Sequence, residues 1–129
     1  MRGKIFKDDA LQTLFNRQGY VVTPFISTSE VKLLDELFDS LHPNLPKEGF
    51  VSSSYSQDYA YKKKVSDEIV KIFSKHYERL FQNYQPFGAA FLFKISSPNS
   101  QLAVHQDWTI VDEEKFVALN CWVPLIDAD

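Results

Sequence analysis

One cysteine, Cys121, is all the thiol chemistry in 129 residues, which excludes an internal disulfide and fits a reducing compartment. Its apolar neighbours make it read as a buried, inert thiol. No run approaches the roughly 18 apolar residues that a membrane-spanning helix requires. The opening Met1-Arg-Gly-Lys-Ile-Phe-Lys-Asp-Asp9 has basic residues but no apolar stretch, so no secretory signal is expected there. Positive charge is scarce: 14 Lys and Arg against 17 Asp and Glu leave a net charge of −3, with no footprint for nucleic acid or an anionic membrane. Repeats and linker-like stretches are missing as well. These absences predict a soluble, cytoplasmic protein with no nucleic-acid or membrane partner. What is there is 44% hydrophobic and 15% aromatic residues, which excludes global disorder and is enough, at this length, for one core.

The first two thirds read as helical. Asp8 or Asp9 can cap a helix through Gln18, with Leu11, Leu14 and Phe15 on one stripe and Gly19 as its stop. Tyr20-Val-Val-Thr23 is β-branched and aromatic and predicts a strand ended by Pro24. Ser27 and Glu30 have capping-box spacing, and Val31, Leu34, Phe38 and Leu41 continue a helix to His42-Pro43. His42 falls in a Pro- and Gly-bearing loop, and nothing in spacing pairs it with another ligand. Serine-rich Phe50–Gln57 is a short strand or part of a lid. A long helix follows from Tyr59, with Val65, Ile69, Ile72, Phe73, Tyr77, Leu80 and Phe81 as its core side. His76 on that helix reads as a packed or surface histidine. Lys62-Lys-Lys64 is a solvated face or, alternatively, a basic patch for an anionic substrate such as a CoA phosphate.

Near residue 86 the period changes from helical to two. Phe87–Ile95, Leu102–Trp108 and Phe116–Pro124 carry strand patterns, so the chain predicts one α+β domain over 1–129, a helical layer (1–86) bracing strands (87–129). His105 and Asp107 lie one residue apart and share a strand face, so they can grip one metal ion. With a second, remote His they would form the two-His-one-carboxylate triad of non-haem Fe(II) enzymes. Alone, His-x-Asp equally fits a surface pair at a strand end. In 116–124, Val117, Leu119, Cys121 and Val123 share one face, and Ala118, Asn120 and Trp122 the other. The second face suits a cavity, or else a solvent-facing Asn and a cross-strand Trp. Lys94 either points inward to meet a carboxylate or blunts a sheet edge.

Three groups of residues now resemble a known family: His105-Gln-Asp107, the preceding Phe91-Leu-Phe-Lys94, and Leu119-Asn-Cys-Trp-Val-Pro-Leu-Ile-Asp127. With Gly19–Ile26 and Ser29–Leu34 they look like the phytanoyl-CoA dioxygenase family of Fe(II)- and 2-oxoglutarate-dependent oxygenases. The resemblance spans nearly the whole chain, with little in 42–86. It implies a fold in which helices brace the first strands of a double-stranded β-helix, the jelly-roll, cupin-like barrel. It implies Fe(II), 2-oxoglutarate and dioxygen, with His105 and Asp107 as metal ligands and hydroxylation of an unactivated C–H bond in a small organic or acyl substrate. Lys94, Asn120 and Trp122 are the candidate cofactor contacts. An Asp at 107 favours hydroxylation over halogenation.

In that family a second metal-binding His and a 2-oxoglutarate-binding Arg come later. Here no His follows His105 and no Arg follows Arg79. The expectation is therefore a partial domain with half a site, inactive by itself and prone to self-association through unpaired sheet edges, whereas a longer product of the same gene is active. The alternative reading is a non-catalytic partner-binding or assembly module without a complete metal site. A cupin-like isomerase or hydrolase, with His-rich ligation, is the third.

Overall fold

The computed structural model describes residues 3–107 and 109–127. Trp108, the aromatic expected after the His-x-Asp triplet, lies outside them. Helices α1 (Asp9–Gln18), α2 (Thr28–Leu41) and α3 (Tyr59–Leu80) dominate, and strands β1 (Phe50–Ser52) and β2 (Leu92–Lys94) pair antiparallel. Two compact units divide the chain: one comprises the segments through Ile26, Lys75–Gln85 and from His105 onward, the other Ser27–Ser74 with Pro86–Val104.

In the first unit, Asp8 caps α1 by accepting from the Leu11 amide at 2.8 Å. Gly19 ends the helix at φ 81°, a left-handed turn that a Cβ would strain. Gln12 Oε1 accepts from the amides of Ile5 and Phe6, tying the N-terminal segment to α1. That segment bridges to the end of α3, where Lys7 N donates to Leu80 O and Gln82 N to Ile5 O. Phe6, buried at this bridge, meets Phe15 and Phe81 with ring centroids 5.6 and 5.3 Å apart. Tyr77 packs against Phe25, Phe81 and Tyr84. Burial, followed by the nearby Cys121 and Tyr84, pushes the Tyr77 phenol up to about 12. The folded chain thus keeps that proton longer than an unfolded one. The stabilisation is complete below about pH 10, the ordinary tyrosine value, and is lost as pH rises through the folded value. Alkaline unfolding of Tyr77→Phe should lack this component, which circular dichroism against pH checks.

The second unit is anchored by the expected capping box. Ser27 Oγ accepts from Glu30 N, and Glu30 Oε2 accepts from Ser27 N at 2.8 Å. Leu34, Val65, Ile69, Phe73 and Phe91 are buried. The sheet register sets Phe50 opposite Lys94 and Ser52 opposite Leu92, and Ser53 N to Phe91 O (2.9 Å) and Ile95 N to Gly49 O (3.1 Å) lengthen the pairing. Gly88 sits at φ 147° where a Cβ would come within 3.1 Å of Ser66 Oγ, the acceptor for the Ala89 amide. Among the described residues, no helix is long and apolar enough to cross a membrane.

The double-stranded β-helix expected from the resemblance is overturned. The regular structure among the described residues is mostly helical, with one two-stranded sheet of three-residue strands and no barrel. Tyr20–Thr23 and 116–124 form no ladder either. A period-two pattern specifies which face would be buried; it supplies neither a pairing partner nor a cover. From 101 to 127 nearly every described residue is exposed, so most of the alternation buries nothing. Val117 and Val123 are half-buried as the pattern asks, but Leu119 and Cys121 on the same expected face are exposed. The expected burial of Cys121 is thus a second correction, although desolvation at its sulfur pushes the thiol up from its ordinary value, which disfavours the reactive thiolate.

Candidate functional site

His105 and Asp107 sit in an irregular extended stretch of the first unit, both side chains about half or more exposed. Their donor atoms face each other, with His105 Nε2 and Asp107 Oδ1 3.4 Å apart. That is longer than the roughly 2.7–2.9 Å of a tight charge-assisted hydrogen bond. It does suit a shared cation: with ligand bonds of roughly 2.1 Å, donors about 3.0 Å apart subtend a right angle and about 3.4 Å a tetrahedral one. The other carboxylate oxygen, Oδ2, accepts from Asn120 Nδ2. A carboxylate of this kind can only accept, so the amide end facing it is the NH2.

The structure therefore brings three of the five sequence-derived site residues together. Lys94 is exposed at the end of β2 and belongs to the other compact unit, and Trp122 is 69% exposed. No group of three or more His, Cys, Asp or Glu side chains placed to hold a metal occurs among the described residues. The residues present fit two positions of a metal's shell.

A second constellation was not read from the sequence at all. His42 closes α2 with its backbone amide on Phe38 O and Asp39 O, and its ring stacks on Phe38 at 4.3 Å with Tyr61, Phe91 and Phe93 around it. Its Nδ1 lies 2.7 Å from Phe38 O, and its Nε2 lies 2.6 Å from the Tyr61 hydroxyl. A carbonyl only accepts, so Nδ1 carries the hydrogen, and in the neutral ring Nε2 accepts from Tyr61. Ser53 lies on the same wall as Tyr61, and its Oγ accepts from Phe91 N at 3.0 Å. Burial pushes the Tyr61 phenol up, and the nearby Ser53 hydroxyl partly offsets it. His42, Tyr55 and Tyr61 with Ser52, Ser53 and Ser56 line a concavity of about 360 Å³. The one sequence signal was a histidine at a helix end before proline. Its side-chain partner Tyr61 lies 19 residues away, beyond any local pattern.

His76, the third histidine, packs on Phe25 at 5.2 Å between ring centroids, which agrees with a packed histidine. Comparison of the chain with protein-family models, with curated proteins and with solved structures gives no match.

Proposed function

We propose that this chain carries part of the metal-binding face of a non-haem Fe(II)- and 2-oxoglutarate-dependent oxygenase acting on a C–H bond of a small organic or acyl substrate. The observation that carries the reading is the facing pair, His105 Nε2 and Asp107 Oδ1, at 3.4 Å. One imidazole nitrogen and one carboxylate oxygen suit a first-row divalent ion. Bound iron would supply the redox chemistry with dioxygen. The chain's own share is to hold the ion through His105 and Asp107, with Asn120 fixing the carboxylate. Trp122 keeps its place in this proposal as a cofactor contact, in a reducing cytoplasmic setting.

Manganese(II), a stand-in for Fe(II), tests the pair directly. Titration followed by electron paramagnetic resonance should show weak, rapidly exchanging binding, because two protein donors are brought together among the described residues. Either His105→Ala or Asp107→Ala should remove it. Binding that survives both substitutions overturns the reading. By itself the chain should form no succinate from 2-oxoglutarate. A polypeptide extended by a further His and Arg should form it and lose it in Asp107→Ala.

A non-catalytic partner-binding module is the second reading, favoured by large apolar side chains left in solvent, such as Phe116, Trp122 and Ile126 at 61, 69 and 80% exposure. Association that rises with concentration and ignores both metal and Asp107→Ala would select it.

A further inference from the structure

We infer that Asn120 is a positioning residue that makes Asp107 a one-oxygen ligand and thereby biases the pair toward first-row transition ions and against calcium. The inference rests on the metal-pair reading and deepens it. Asp107 has two oxygens with different neighbours. Oδ1 faces His105 Nε2 at 3.4 Å, and Oδ2 is engaged by the Asn120 NH2. The amide comes from 13 residues further along, and both residues lie in the same compact unit.

A carboxylate oxygen already accepting an amide hydrogen is a poorer donor to a cation, and the bond also holds the carboxylate plane in place. Only Oδ1 is then presented to the ion. Calcium prefers six to eight oxygen ligands and commonly takes both oxygens of a carboxylate. One imidazole nitrogen with one oxygen suits manganese, iron, cobalt, nickel or zinc instead. Removing the amide would leave Asp107 able to turn and offer both oxygens. The predicted effect is therefore a change in preference between ions as well as a loss of affinity.

The probe is cobalt(II), whose visible absorption reports its ligands, with calcium(II) as competitor, titrated into the 129-residue chain. Asn120→Ala should weaken cobalt binding about 10- to 100-fold, the usual cost of losing an outer partner of a metal ligand. It should also lower the cobalt-to-calcium preference and shift the cobalt spectrum. Asn120→Gln, which keeps the amide, should restore most of both. Asn120 is exposed in an irregular stretch, so the fold tolerates the change, and circular dichroism verifies this. If Asn120→Ala matches the wild type in affinity and preference, the positioning role is wrong. Equal loss for both ions, with no gain of calcium over cobalt, overturns the selectivity as well. Both of these outcomes leave the parent reading standing as long as His105→Ala abolishes cobalt binding. If His105→Ala leaves cobalt binding unchanged, the parent reading falls instead.

Discussion

Phe91→Ala should destabilise the protein by about 3–5 kcal/mol, the usual cost of emptying a large buried aromatic site. Phe91 is 5% exposed, and its ring meets Phe38 edge-on at 5.3 Å and His42 at 6.1 Å. Its backbone is engaged as well: the amide donates to Ser53 Oγ and the carbonyl accepts from Ser53 N. The substitution leaves those backbone bonds possible and removes the ring alone, so the loss measures packing. Urea unfolding should show a lower midpoint at unchanged slope. Phe87→Ala is the control. That ring is 72% exposed, and its removal should cost no more than about 0.5 kcal/mol. Equal effects from the two substitutions would mean that the aromatic cluster is not the core of its unit.

The histidine clasp gives the second large effect. His42→Ala removes a stacked ring and two hydrogen bonds at once, leaving the Tyr61 hydroxyl and the Phe38 carbonyl without this partner. The expected loss is about 2–3 kcal/mol. Tyr61→Phe removes a single hydroxyl and strands Nε2, for about 1–2 kcal/mol. Because the two substitutions delete the same bond, the double variant should cost less than their sum by about 1 kcal/mol. Strict additivity would show that the 2.6 Å contact contributes nothing to stability.

What the sequence disclosed well was local. Asp8, Gly19, Ser27 and Glu30 act within one turn of their own positions, and their roles were legible because capping is short-range hydrogen bonding. The buried face of α3 was legible too, since Val65, Ile69, Phe73 and Tyr77, with Phe81 just past its end, follow the helical period. The strands after residue 86 were not. Leu92–Lys94 forms a strand because Phe50–Ser52 pairs with it, whereas the equally regular 116–124 finds no partner. Periodicity describes one strand, and pairing is a property of two. The site divides in the same way. His105 and Asp107 were found because one residue separates them, and Asn120 was singled out from its strand face rather than for the carboxylate it engages. The His42–Tyr61 contact escaped because it joins residues from a helix end and a second helix.

Cys121 has a use that follows from its being both solitary and solvent-exposed. A single nitroxide or fluorophore can be attached there without mutagenesis, at a pH high enough to ionise a thiol held above its ordinary value. The label sits next in sequence to Asn120, whose amide touches the Asp107 carboxylate. A paramagnetic ion held by His105 and Asp107 would shorten the relaxation of such a nitroxide, turning one sulfur atom into a ruler for the occupancy of the pair.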